Sequence, residues 1–242
     1  MQKEAPALAY KAAGAEGNQP TLALNQKVYM ILREALLSGA FEPGSMLKLR
    51  PLAAQLKISP MPVREALSSL RSEGAVEALP NRTFRVPILS ANSYREVILL
   101  RLRVESCACE KAAVLATSQD VKRVSDLYEE MLSIGETCIE EYLAVHRRFH
   151  FAIYEIAQMP ILSSVVEGLW LRIGPLLRAS TRSRTKEDHV HHGAMTKALK
   201  ASDPQALVAA LQEDLTDGVE PILAYLEQQR AEMGQKKRGR TR

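Results

Sequence analysis

Cysteine is scarce in this chain: three residues in 242, Cys107, Cys109 and Cys138. The number is odd, and two of them lie two positions apart on one predicted helix, so no disulfide framework is implied. Their plain reading is as small buried hydrophobic groups. No apolar run approaches the ~18–20 residues of a membrane-spanning helix. The opening "MQKEAPALAYKAAGAEGNQP" lacks the apolar central segment of a secretory signal. It reads as a loose Ala/Gly-rich tail over residues 1–21. These absences predict a cytoplasmic protein that makes no membrane contact. No internal repeat is visible, and the net charge is only +4.

That small charge is unevenly placed. From Leu24 to Ile88 nine Lys/Arg stand against five Asp/Glu, and the C-terminal "KKRGRTR" adds five more positive charges. The first 23 residues balance, so residues 89–235 carry −5 by difference. A basic front and an acidic body imply that the front meets a polyanion. The tail alone would not, because basic tails are commonly just solvated. The length suits one or two domains, and 46% hydrophobic residues are enough to fill their cores.

Helical periodicity runs through "LNQKVYMILREALLS", with Leu24, Val28, Ile31, Leu32 and Ala35 on one face. "GAFEPGS" breaks it. A short helix "RPLAAQL" tolerates Pro51 in its first turn. After the turn "KIS", Ser59 is placed to cap "PMPVREALSSLRSEG", whose prolines fall where amides have no intrahelical partner. "AVEALPNRTFRVPIL" reads as two short strands about a turn at Pro80 and Asn81. Helix, helix-turn-helix and hairpin within about 65 residues outline a winged helix-turn-helix over residues 22–90. From Asn92 to Gln229 nearly everything has helical period, with breaks near Thr117–Ser118, Met159–Pro160, Thr181–Glu187 and Ser202–Pro204. The expected fold is mainly α. The winged module is followed by an all-α bundle of six or seven helices over residues 91–230, then a loose basic tail over 231–242.

A helix-turn-helix presents the N-terminal residues of its second helix to the major groove. Here these include Ser59, Met61 and Arg64. Arg64 is the one long donor there, and a guanidinium reads guanine bidentately. Arg50 opens the preceding helix and can reach a phosphate or base edge. Arg82 and Arg85 on the hairpin can touch phosphate or the minor groove. In the body, "HRRFH" puts His146 and His150 one helical turn apart on an apolar face. Metal ligation, buried packing and idle surface histidines all fit that pair.

The stretch "GAFEPGSMLKLRPLAAQLKISPMPVREALSSLRSEGAVEALPNRTFRV" resembles the DNA-binding domain of the GntR family of bacterial transcription regulators. The match lies in G-x-x-x-P-G-x-x-L, in Leu52–Ala53, and in Ser59-x-x-Pro62-Val63-Arg64-Glu65-Ala66-Leu67. Three positions depart. Pro60 stands where the family usually has arginine, Leu49 where it has an acidic residue, and Thr83 where it has a wing glycine. The family's base-reading arginines therefore carry over only at Arg50 and Arg64, and the resemblance does not imply the family's usual operator for this chain.

The body resembles the FadR-like branch, whose effector domain is of the all-α FCD type. "YREVILLRLRVESCACEKAA" is similar to its opening helix, with Arg101 and Glu105 at the R-x-x-x-E positions. "HRRFHFAIYEIAQMP" and "HHGAMTKALKASDPQALVAALQEDL" resemble later segments that in many members supply an Asp and three His to a divalent metal. Carried over, His150 and His192 match histidines, His146 stands at the Asp and Asp214 at the last His. Spacing agrees. The break at Ser202–Pro204 lies ten residues from His192 and ten from Asp214, which brings them level about 15 Å from the turn. A buried His–Asp network without metal is the alternative.

Such a site suits zinc, nickel, manganese or iron. Arg101 is placed to hold an anionic effector, unless it simply pairs with Glu105 at i,i+4. His189 and His191 read as surface residues, and His191 replaces His192 if the helix phase shifts by one. The resemblance implies a transcription regulator, more a repressor than an activator. It would bind a palindromic double-stranded DNA operator as a homodimer and respond to a small organic acid. The alternatives are a metal-responsive regulator and a metal-dependent enzyme.

Overall fold

The computed structural model describes residues 24–80, 83–134, 138–180 and 189–239. In the front module, α1 (Leu24–Leu37) buries Val28, Leu32, Ala35, Leu36 and Leu37. The strand β1 (Met46–Leu47) leads into α2 (Leu49–Leu56) and α3 (Pro60–Ser72). Lys57 makes the turn between the two helices in the left-handed region, at φ 56°, with its amide on Ala53 and Ala54 carbonyls. Helix α3 turns Val63, Ala66, Leu67 and Leu70 inward. Ser59 occupies the N-cap position, but its hydroxyl makes no capping bond. Pro62, at the third helical position, has no amide to offer it.

The expected hairpin, β2 (Glu77–Leu79) and β3 (Thr83–Arg85), carries a third strand. β1 pairs with the far edge of β3, Met46 opposite Arg85 and Leu47 opposite Phe84, giving the order β1-β3-β2. Two residues are too few to show an alternating pattern, so the sequence reading missed β1.

The body contains seven helices among the described residues: α4 (Ala91–Leu115), α5 (Ser118–Ser133), α6 (Ile139–Ile156), α7 (Pro160–Ser180), α8 (Val190–Lys200), α9 (Pro204–Asp217) and α10 (Val219–Gly239). Three start where a side chain takes an orphan amide. Ser90 accepts from Ser93, Thr117 and Asp120 form a capping box, and Asp203 accepts from Ala206. Ser202, at φ 52°, makes the tight α8–α9 turn. The expected break at Thr181–Glu187 lies outside the described residues. Helix α10 runs to Gly239, beyond residue 231 where a loose tail was expected. Gln, Lys, Arg, Ala and Glu are good helix formers, and only Gly234 interrupts them.

Of the cysteines, Cys109 is buried, while Cys107 and Cys138 are exposed, contrary to the packing expectation. Helix α7 is long and apolar enough to cross a membrane by length and composition over Pro160–Arg178. No continuous apolar run had suggested this, because Glu167 and Arg172 interrupt it. It packs as a core helix, with Val166, Trp170, Leu171, Ile173 and Leu176 buried.

The front module does not keep a core to itself. One buried cluster runs from Leu32, Phe41 and Leu67 through Leu143 and Trp170 to Leu211. The junction is α1 on α7. Gly39 (φ +66°) and Gly174 face each other so closely that a Cβ on Gly174 would lie 2.3 Å from the Leu36 carbonyl oxygen. Only glycine permits that approach. Ion pairs flank it: Arg33 with Glu167 at 2.6 Å, and Arg147 of α6 with Glu34 of α1 at 2.5 Å. A second cluster, around Tyr94, Ile98, Ile173 and Leu223, fastens α10 to α4 and α7.

Candidate metal centre and DNA-reading surface

Helix α6 carries His146 and His150 on its inner face, α8 brings His192, and α9 brings Asp214. The three histidines are buried and Asp214 nearly so, at 14% side-chain exposure. Their ligand atoms all lie within 4.8 Å of one another. His150 Nε2 lies 3.2 Å from His146 Nε2 and 3.3 Å from His192 Nε2. Asp214 sits 3.5 Å from His150 Nε2 and 3.4 Å from His192 Nε2. The α8–α9 turn brings 192 and 214 level, as the spacing predicts.

Proton positions follow from the surroundings. The Tyr154 hydroxyl has one proton and gives it to Glu105 Oε2 at 2.6 Å. Burial, with Glu105 beside it, pushes the Tyr154 phenol well above its ordinary value, so that proton stays. His150 Nδ1 lies 3.2 Å from the same hydroxyl oxygen and must therefore donate to it. His150 Nε2 is left with its lone pair, turned toward two other ring nitrogens and a carboxylate. A cation among them would take that lone pair together with the other three ligand atoms; without one, His146 or His192 has to carry its proton on Nε2 and donate it to His150. A second-sphere carboxylate that fixes the tautomer through a relay is how metal-binding histidines are oriented. Burial, then the neighbouring His192, holds His146 down at about 3, and His150 is lowered well below its ordinary value by burial, then by His146 and His192. His146 and His150 thus face the site in the neutral form a metal needs.

Glu105 is the hub of this support. It accepts from Arg101 at 2.6 and 3.1 Å and from the Trp170 indole at 3.1 Å, in addition to Tyr154. Arg101 is buried, with its guanidinium 4.6 Å from the Trp170 ring centroid. The i,i+4 pair with Glu105 thus forms, and two of the arginine's donors are committed to it. His191 is not a ligand here: its ring bonds Asp217 at 2.6 Å and faces Glu213 at 3.4 Å. His189 is half-buried beside Tyr142 and His192, not a surface residue. Sequence reasoning missed Tyr154 and Trp170. Tyr154 stands one turn after His150, and Trp170 is the chain's single tryptophan, which is all the signal there was.

The residues predicted to read DNA divide. Arg50 in the first turn of α2, and Ser59 and Met61 at the start of α3, are exposed; Arg64 is half-buried. Arg85 bonds Glu77, its partner across the β2–β3 ladder, at 2.6 Å, so its charge is largely neutralised. Arg82 lies outside the described residues.

Residues 24–86 match the bacterial regulatory proteins of the gntR family, and residues 96–217 match the FCD domain. The chain is 32% identical to the HTH-type transcriptional regulator McbR of Escherichia coli K12, over 84% of this chain and 94% of that one. The solved structure of E. coli McbR/YncC superposes with a TM-score of 0.78, covering 86% of this chain and 99% of that chain. The HTH-type transcriptional repressor RspR of E. coli K12 is 24% identical over 84% of this chain and 90% of its own.

The chain belongs to the GntR family. It is a DNA-binding transcription regulator of the GntR/FCD type. Its relatives are regulators and not enzymes, which sets the enzyme alternative aside. The cluster of three histidines and Asp214 lies on α6, α8 and α9, inside the FCD segment, and helices α2 and α3 lie inside the GntR segment. FCD domains often bind a metal ion, and His146, His150, His192 and Asp214 form a set able to hold one.

Proposed function

We propose that this GntR-family chain is an effector-responsive regulator. It seats a divalent cation on His146, His150, His192 and Asp214 and binds a small carboxylate metabolite there. One observation carries the reading: the proton relay Glu105–Tyr154–His150 leaves a lone pair aimed at the convergence point of four ligand atoms. Zinc, nickel, manganese and iron all accept three imidazoles and a carboxylate. By formal charge, Arg101, Glu105 and Asp214 leave the buried set at −1. A divalent cation turns it to +1, and one carboxylate then restores neutrality. An effector carboxylate would take an open position on the cation and the donors of Arg101 that Glu105 leaves over.

On the DNA side, Arg64 and Met61 read base edges, Arg50 and Ser59 reach phosphate or base, and the wing arginine Arg82 follows the backbone, while Arg85 stays on Glu77. The protein acts as a homodimer on a palindromic operator, because two-fold protein symmetry matches two half-sites. Support for the dimer is the exposure of Leu99, Leu100 and Val114 on α4, apolar groups that a partner would cover. A relative named as a repressor favours repression. A DNA partner and a small-metabolite effector favour the cytoplasm. Residues 22–90 form the DNA-binding unit and 91–230 the effector and dimerisation unit.

The effector works only by preferring one placement of the two DNA-reading heads. The test is elemental analysis of the untagged protein with two variants. About one divalent metal per chain is expected. It should be lost in His150→Ala and kept in the double exchange His146→Asp with Asp214→His. A protein that takes up no metal even on reconstitution would overturn the metal reading. Arg64→Ala should cost about 1–3 kcal/mol of operator affinity and relax specificity.

A further inference from the structure

The first turn of α3 is unusual in what it offers a base pair. Pro60 and Met61 are exposed, Pro62 is half-buried and Val63 is fully buried. Met61 is 60% exposed. The core face of this helix is Val63, Ala66, Leu67 and Leu70, so the interior makes no use of the methionine. A lone exposed apolar side chain on an arbitrary surface carries little meaning. This one stands at the helix end that enters the major groove. The prolines on either side have neither amide protons nor side-chain donors. The nearest long donor, Arg64, follows at i+3, on the same side of the helix.

Apolar contact can distinguish one base in the major groove. Thymine alone presents a methyl group there, at C5. We propose that Met61 is a specificity-determining residue that reads the C5 methyl of a thymine in each operator half-site, next to the pair read by Arg64. The inference rests on the reading of α3 as the recognition helix. It adds a base identity to that reading: where an arginine would select guanine, the Pro60–Met61 edge selects an A·T pair by shape and apolar contact.

The full-length protein is first used to select its operator from a random duplex pool. Each thymine of that operator is then replaced singly by deoxyuridine, which pairs identically and lacks only the methyl group. One thymine per half-site should show about a fourfold loss of affinity on replacement, the value of one buried methyl group. Met61→Ala should bind the thymine and deoxyuridine operators equally. Met61→Leu should retain most of the discrimination. Exposure of the side chain means that neither substitution disturbs the core, and unchanged unfolding midpoints check this. A selected operator that depends on Arg64 but shows no methyl effect, or the same methyl effect in Met61→Ala, overturns the proposal while leaving the recognition helix in place. Failure to select any sequence overturns both.

Discussion

Replacing Gly174 by alanine tests how the DNA-binding head is held on the body. A Cβ there would lie 2.3 Å from the Leu36 carbonyl oxygen and 3.0 Å from both Cα and O of Leu37. All three obstacles are backbone, so no rotamer relieves them. An ordinary contact of about 3.4 Å requires α1 to lift from α7 by about 1 Å, and a gap of that size forfeits much of the dispersion along the seam. Overpacking of this kind costs about 1–3 kcal/mol. Alanine returns at most about 1 kcal/mol of helix propensity over glycine. The overpacking term wins, and Gly174→Ala should lower stability by about 1–2 kcal/mol, or roughly 2–8 °C in Tm for a chain of this size. Gly218→Ala is the matched control. It has φ −74° and nothing within 4 Å of the added carbon. There the loss of glycine's freedom acts alone, and stability should rise by about 0.5–1 kcal/mol. Urea unfolding of the two variants reads the contrast. Limited proteolysis across Ser38–Ser45 reads whether α1 has lifted. A Gly174→Ala protein as stable and as protease-resistant as the parent would refute the backbone-to-backbone seam.

Tyr154→Phe removes the hydroxyl that fixes the His150 tautomer, and metal affinity should fall about 10–100-fold in a chelator competition; an unchanged affinity would sink the proton-relay argument. Glu105→Gln leaves the Arg101 guanidinium buried without its counter-charge and should cost about 3–5 kcal/mol in urea unfolding. A loss under about 1 kcal/mol would mean that Arg101 reaches solvent. In the metal-free protein, His146 titrates near 3 when folded against 6.5 as its ordinary value. The unfolded chain therefore takes up the proton first, and this contribution is complete above pH 6.5 and lost as pH falls toward 3. The urea midpoint of metal-free protein should drop across that window, and a flat profile would contradict the burial of the imidazole.

What the sequence revealed, and what it hid, divides by the range of the interactions. All four residues of the cluster were named in advance through the resemblance to the FCD segments, and local spacing agreed with it: one turn for His146 and His150, one hairpin turn for His192 and Asp214. The same holds for the helix-turn-helix and the β2–β3 wing. The support of the site was not legible. Glu105, Tyr154 and Trp170 come from α4, α6 and α7, and nothing in their spacing announces that they meet. For Arg101 the sequence left an anion and Glu105 as rival partners; the structure gives two of its donors to Glu105 and sets its guanidinium over Trp170. Arg85 looked available for phosphate until the strand register put Glu77 opposite. The close approach at Gly174 is likewise a fact of two helices, not of one. These long-range contacts are the physical links between the proposed ion site and the DNA-binding head. His146 and His150 sit on α6, whose Arg147 grips Glu34 of α1. The Glu105 hub reaches Trp170 on α7, whose Gly174 carries the end of α1. Helices α6 and α7 thus each touch both the metal site and the head. An effector that shifts either one relative to the other must strain the Gly174 seam or the Arg147–Glu34 pair, and so reposition α1 and the α3 that packs on it.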